Sequence, residues 1–542
     1  MEFNFNNKGK ANYQFDNVSF GDAFFGNKHS LSGRYSTKKW NVWSHSSFMK
    51  SDSKLSESTF SRSQNRASHT SGKNWIGASL KMENNAEKIK STNEYSALSQ
   101  RFIEYGAFVG RGDSTKVFVE LGVLQRQNDS LQNQRIERVN HSTSYYLKSN
   151  LIKTEKSNLS LFLNYRKLTY EDPTLKDEPS LNSRILYSDR YFGQLIQTTT
   201  AYETSSGTIA QQEFTYLEVA PGQGIYQWND YNGNGIQELQ EFEIAPYPDL
   251  AIYVRVFLPN QIFIRTHQNK FSQALNFNFN QWQNKTGWKK WISHFYNQTS
   301  LLMEQKNRRN EGDFEWNPWT KSKEETIGLN TNFRNSLFYN RGKQLHSTTY
   351  SYVLNENKNE LVTGSVHTKN QSHQLQYQHL LQKSWLINLS AFHTKSTSNI
   401  ANYANRNFNI ESRQFESKIG YLFSKNASWS LVYEFQQKAN QMGFFEALKQ
   451  TRIGSLFVFN SDKGYSINGE FSMYTNTFKG NAVSAVGFQM LEGLQPGKNQ
   501  TWRLLLQKNL TDYLDININY QGRNSETSKS IHTGNIQLRA FF

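Results

Sequence analysis

The stretch Leu514-Asp515-Ile516-Asn517-Ile518-Asn519-Tyr520-Gln521 alternates strictly between apolar and polar side chains. Period two puts Leu514, Ile516, Ile518 and Tyr520 on one face of an extended strand and Asp515, Asn517, Asn519 and Gln521 on the other. A helical stripe of period 3.6 cannot make that separation. The pattern returns at Leu275, Phe277 and Phe279 against Asn276, Asn278 and Asn280, and at Leu159, Leu161, Leu163 and Tyr165 against Ser160, Asn164 and Arg166. It returns again at Trp429, Leu431, Tyr433 and Phe435 against Ser430, Glu434 and Gln436. The repeated element is a strand with one greasy and one wet face.

Composition agrees. Only 36% of the 542 residues are hydrophobic, yet 14% are aromatic, and a disordered chain lacks such aromatics. No run approaches the roughly 18 apolar residues of a spanning helix. The absence of cysteine excludes disulfides, thiolate metal sites and a cysteine nucleophile. The formal charge of +16 is scattered along the chain, with no basic run interleaved with aromatics, so nucleic acid is not an expected partner.

A soluble β-sandwich also alternates, and the connections decide between the two. Short polar turns are expected at Gly110–Thr115, Lys153–Asn158, Asn284–Gly287, Gln382–Ser384, Ser424–Ser428, Asn460–Gly464 and Lys508–Asp512. Long irregular stretches are expected at 127–141, 171–188, 220–268, 305–321, 397–408 and 476–499. Tight turns at one end and long loops at the other suit an outer-membrane barrel, with the turns periplasmic and the loops extracellular. All eight prolines (Pro173, Pro179, Pro221, Pro246, Pro248, Pro259, Pro318 and Pro496) fall in those long stretches, as the missing ladder N–H requires. Trp282, Trp288, Trp291, Trp385 and Trp429 lie beside the short turns, where an interfacial girdle belongs.

The expected fold is therefore all-β, one antiparallel transmembrane β-barrel over residues 1–542 with roughly 24 strands (about 20 to 26). The chain ends on Ile536, Leu538, Ala540 and Phe542 along one face, which resembles the C-terminal strand signal of bacterial outer-membrane barrels. Met1–Gly21 has no charged and then apolar segment of a secretory signal, so a truncated or mature frame is expected.

Within 220–268, Asp230-Tyr-Asn232-Gly-Asn234-Gly235-Ile236-Gln-Glu238-Leu-Gln-Glu241 matches D-x-[DN]-x-[DN]-G-x5-E. Asp230, Asn232 and Asn234 would offer side-chain oxygens, Ile236 its carbonyl, Glu238 a direct or water-mediated contact and Glu241 a bidentate carboxylate. Hard oxygens at this spacing suit Ca²⁺. Pro221 and Gly222 before the loop, and Pro246 and Pro248 after it, argue against flanking EF-hand helices, so the ion would be structural. An Asn-Gly-rich turn without metal is the plainer alternative.

Other motifs carry less. Arg111-Gly-Asp113 falls by hairpin parity in a periplasmic turn, where Gly and Asp are ordinary turn residues. The carboxylates Glu171, Asp172, Asp177 and Glu178 read as a solvated loop rather than a glycosidase pair. His373 and His379 have no metal spacing, and no G-x-S-x-G elbow occurs.

The tract from Val219 to Glu243, continuing through Tyr253–Phe257 and Phe271–Phe279, resembles a segment of large uncharacterised outer-membrane β-barrel proteins of Bacteroidota. The resemblance implies an outer-membrane location, a barrel architecture, calcium at Asp230, Asn232, Asn234, Glu238 and Glu241, and a longer N-terminus in the relatives. The expected function is a non-enzymatic channel or an export or assembly component with a polar lumen, selective through its inward charges. Outer-membrane lipid and lipopolysaccharide are expected partners, together with lipoproteins or periplasmic proteins. A secreted, calcium-stabilised glycan-binding β-protein is the alternative, and a lipase-like barrel enzyme the third.

Overall fold

The computed structural model describes residues 2–5, 8–21, 23–113, 115–309, 314, 326–343, 345–361, 364–461, 464–511 and 513–540. Among them all strands belong to one antiparallel sheet, in which each long strand pairs with the next along the chain. Among the described residues there are twenty-seven strands; Glu2–Phe5, Tyr226–Trp228 and Phe242–Ile244 are short, and the last two form a small hairpin. The other twenty-four run in series from Gly9–Phe20 to Ile531–Ala540, so the first and last of these point in opposite directions. Among the described residues Ile531–Ala540 pairs only with Leu514–Ser525, while Glu2–Phe5 covers part of the free edge of Gly9–Phe20. Helices are few, and among the described residues none is long and apolar enough to cross a membrane.

The two faces separate as period two requires, and their chemistry is inverted relative to a water-soluble protein. On the strand Ala427–Asn440, Trp429, Leu431 and Tyr433 are 38%, 47% and 46% exposed, whereas Ser430 and Glu434 are 7% and 8% exposed. Among the described residues the buried positions are mostly Ser, Asn, Gln, Glu and Thr, and the exposed large side chains are Phe, Leu, Ile, Tyr and Trp. Soluble folds place these sets the other way round. The greasy face is hereafter the outer face, and the wet face the inner one.

Length asymmetry between the two ends is present. One end carries compact connections, 37–39, 72–73, 113–117, 154–157, 192–195, 340–345, 382–384 and 423–426. The opposite end carries 90–99, 171–177, 219–252, 401–407, 441–446 and 480–496. Several expected loops are shorter than their sequence suggests. Residues 127–141 are a hairpin closed by Asn133 and Gln134, both at positive φ (47° and 66°). The insertion expected over 220–268 ends sooner, because the strand Tyr253–Asn278 pairs with Ile196–Glu218. The stretches 171–188, 397–408 and 476–499 shrink to 171–177, 401–407 and 480–496. In the hairpin at Asn133 and Gln134 the ladder continues through polar residues, whereas the strand parts within 171–188 and 220–268 carry exposed Ile185, Val256, Phe257 and Phe263 and their prolines hid them.

Two prolines sit inside strands instead of loops. Pro179 is the second residue of Glu178–Tyr191, and Pro259 faces the register shift between Gln212 and Phe214, where the ladder has already lapsed. Pro318, Ser114 and Phe542 lie outside the described residues. The turn expected at Asn284–Gly287 is part of a helical connector containing α1 (Trp288–Ile292). A second helix, α2 (Ala485–Leu491), is N-capped by Ser484, whose Oγ accepts from the Gly487 N–H at 3.0 Å. Val486, Met490 and Leu491 of α2 pack with Ile410 and Leu448 in a compact apolar cluster of the inner face. Thus 480–496 folds inward against the sheet.

Candidate functional site: a roofed, charged inner face

Inward-pointing residues of neighbouring strands form charged clusters. Arg452, on Ala447–Ser461, lies between Glu434 and Glu470 of the flanking strands, at 3.3 and 2.8 Å, and its Nε donates to the fully buried Ser472 Oγ at 3.1 Å. Arg452, Glu434 and Glu470, with Gln414, Gln436, Gln450 and Tyr474, line a cavity of about 420 Å³. On the N-terminal half, Glu120 is 7% exposed and accepts from Arg66 (2.8 and 2.9 Å), Trp75 Nε1 (3.0 Å) and Tyr146 O–H (3.1 Å). Those rings can lie flat on the sheet because a Cβ at Gly110 or Gly122 would come within 2.1 Å of Trp75 or 2.3 Å of Tyr146. Arg66 also covers the Phe108 ring at 3.6 Å. Arg452 is thus shared by two carboxylates and Arg66 serves one, which stabilises a charged lining away from bulk water.

The insertion 219–252 roofs the C-terminal cluster. Arg523 Nη1 and Nη2 donate to Asp249 Oδ1 and Oδ2, both at 2.6 Å, and the guanidinium stacks on Tyr247 at 4.1 Å. Arg406, in the connection 401–407, donates to Glu243 Oε1 and to the Gln240 carbonyl, each at 2.5 Å. From below, Lys438 (8% exposed) donates to the Met490 carbonyl at 2.9 Å and to Glu492 at 2.5 Å, tying down 480–496. Gly493 approaches Pro246 so closely that a Cβ would sit 2.5 Å from Pro246 Cγ, so the two loops meet. Hydrogen bonding to Arg523 holds the Asp249 carboxyl below the usual carboxylate range, while burial pushes Glu243 upward against the pull of Arg406.

The calcium-type loop is closed on itself. Asp230 accepts from the N–H groups of Gly233 (2.7 Å), Asn234 (3.2 Å) and Gly235 (2.8 Å). Asn232 accepts from Asn234 N–H at 2.9 Å, and Asn234 from Ile236 N–H at 2.7 Å. Glu241, 2% exposed, accepts from Tyr231 N–H (3.1 Å) and Trp228 Nε1 (2.8 Å), and Glu238 accepts from Asn232 Nδ2 (3.0 Å). The donor set is hard oxygen throughout. Among the described residues no three of His, Cys, Asp and Glu gather closely enough to hold a metal ion, so Asp230, Glu238 and Glu241 do not converge.

The remaining sequence motifs are dispersed. Asp113, in a compact turn, accepts from the N–H and hydroxyl of Thr115, which lowers its carboxyl from the ordinary range. Around the acidic loop, Lys167 holds Asp177 at 2.7 Å, Arg265 holds Glu178, His141 meets Glu171 at 3.4 Å, and Asp172 accepts from Thr174, so the four carboxylates face separate partners. His373 lies on the outer face, beside Tyr350. Arg452, Glu470, Arg523 and Asp249 were not singled out by motif; the inward parity of Arg452 and Glu470 is readable from their neighbours, whereas the Asp249–Arg523 contact has no sequence signal.

No protein-family model and no curated protein matches the chain. Among solved structures it is similar to the siderophore receptor PiuA from Acinetobacter baumannii (7% identity, 93% of this chain and 78% of that one, TM-score 0.31). It is also similar to BauA, the ferric preacinetobactin receptor of Acinetobacter baumannii (9%, 98% and 78%, TM-score 0.32). A third is the copper transporter OprC (8%, 95% and 73%, TM-score 0.32).

Proposed function

We propose that the chain is a non-enzymatic β-barrel of the bacterial outer membrane, serving as a channel or as an export or assembly component through a polar lumen. The observation that carries this reading is the inversion of the faces: Trp429, Leu431 and Tyr433 look outward while Ser430 and Glu434 are buried. Lipid accepts that outer face and water does not, and only a closed sheet leaves no unpaired backbone in hydrocarbon. Closure of Gly9–Phe20 onto Ile531–Ala540 is part of the proposal. The compact turns then lie in the periplasm and the long loops outside, where outward Lys395, Arg413 and Lys449 meet lipopolysaccharide phosphates. The inward ion pairs set which solutes pass beneath the roof.

Fractionation and conductance test it together. The chain should co-sediment with outer membranes, resist unfolding in SDS until heated, and give discrete conductance steps in planar bilayers. Partition into the aqueous phase without detergent would sink the proposal and favour the soluble glycan binder.

Calcium on the loop 230–241 belongs to the same proposal as a structural ion. Asp230, Asn232, Asn234 and the Ile236 carbonyl would hold it, with Glu238 and Glu241 drawn in as Trp228 and Tyr231 release the latter. Tb³⁺ luminescence excited through Trp228 should appear, be displaced by Ca²⁺ and vanish in Glu241→Gln. Silence in the unmodified protein would remove the ion from the account.

A further inference from the structure

The connector Phe279–His294 lies at the end of the sheet that carries the compact connections but is longer than they are and partly helical, and its sequence FNQWQNKTGWKKWISH contains three lysines and no acidic residue. Trp288 and Trp291 on α1 are 63% and 61% exposed. Two series of ring contacts run from the outer face into the connector. Phe277 stacks on Phe279, Phe279 meets Trp282, and Trp282 meets Trp288 edge-on at 5.7 Å; separately, Trp291 packs against Phe295, which meets Tyr339. Phe277 and Phe295 both point to the outer face, so the tryptophans continue the greasy band at its lower margin. Lys289 Nζ lies 5.9 and 5.7 Å from the ring centres of Trp282 and Trp288, and among the described residues Lys285, Lys289 and Lys290 enter no ion pair.

Exposed indoles interleaved with unpaired ammonium groups are poorly placed in water and well placed at a headgroup layer, where rings sit among glycerol groups and cations meet phosphate. We propose that this connector is a binding site for anionic glycerophospholipid in the leaflet on the compact-turn side. The inference rests on the membrane reading above and adds to it a ligand class and a location.

Native mass spectrometry of the full chain, delipidated in detergent and titrated with phosphatidylglycerol, phosphatidylcholine or lipid A, tests it. Phosphatidylglycerol should be retained preferentially and in a salt-sensitive way. Lys285→Gln, Lys289→Gln and Lys290→Gln should each weaken that retention about fivefold, leaving phosphatidylcholine binding and heat-modifiable migration unchanged. Trp288→Phe with Trp291→Phe, which keeps the greasy surface but alters the indoles, should weaken both phospholipids. Equal retention of phosphatidylglycerol and phosphatidylcholine, preference for lipid A, or unaltered binding by the lysine variants in a chain that still inserts would overturn the site alone. Failure of the unmodified chain to enter membranes would overturn the membrane reading, and the site with it.

Discussion

Arg523 grips Asp249 with both guanidinium nitrogens at 2.6 Å, joining residues 274 positions apart in the chain. One partner lies on the strand Leu514–Ser525 and the other in the insertion that leaves the sheet between Ile196–Glu218 and Tyr253–Asn278. Because many strands separate those elements in the sheet order, the pair requires the sheet to bend its inner face around the insertion. Fork-to-fork pairing of this kind fixes direction as well as distance.

Arg523→Gln should therefore release the roof and spare the wall. The two side chains are only 17% and 24% exposed, and removing the cation leaves the partly buried Asp249 carboxylate without its partner, at a cost of roughly 1–3 kcal/mol to docking. Limited proteolysis should cut within 219–252 faster in the variant, with unchanged heat-modifiable migration. Cleavage at the unmodified rate would show that Arg406 alone holds the insertion.

Acid should undo the same contact. The Asp249 carboxyl is held below its ordinary value by Arg523, so the stability it lends is complete above the usual carboxylate range of about 4 and fades as pH falls through the lower folded value. Pepsin digestion between about pH 5 and pH 2 should show 219–252 becoming accessible at the acid end. Asp249→Asn should give a flatter profile, already accessible at the higher pH.

Arg452→Gln should change selectivity. Its removal strands Glu434 and Glu470 without their shared cation on the inner wall. Reversal potentials across a KCl gradient should shift toward cations by several-fold in permeability ratio. An unshifted potential would place the conducting path away from this cavity.

Closure can be probed chemically because the chain has no cysteine to interfere. Single cysteines introduced along Tyr13–Asn17 and along Thr533–Gln537 should, in some pairing, form a disulfide in the folded protein, since neighbouring antiparallel strands bring Cα atoms within bridging distance. Lack of any cross-link over the whole grid would mean that the two edges do not meet.

The alternation at Trp429–Gln436 made strands and faces legible, and polar turn residues such as those of 154–157 and 382–384 marked one end of the sheet. Legibility was weakest at the strand ends. The hairpin at Asn133 and Gln134 continues its ladder through Gln, Asn, Arg and Glu, so nothing in hydropathy distinguishes it from a loop. The helical spacing of Trp288, Trp291 and Ile292, and of Val486 and Met490 after Ser484, was present but short, and short helices compete poorly with turn signals. The roof was hidden for a different reason: a salt bridge between distant loops leaves no periodic trace.

An interior of serine, asparagine and paired carboxylates also governs how the polypeptide can reach its folded form. Collapse in water would gather the wrong side chains, since the oil belongs on the periphery and, among the described residues, α2 and its neighbours form a small dry cluster. If the proposed membrane reading holds, such a chain would need its phenylalanines and tryptophans shielded until a bilayer receives them.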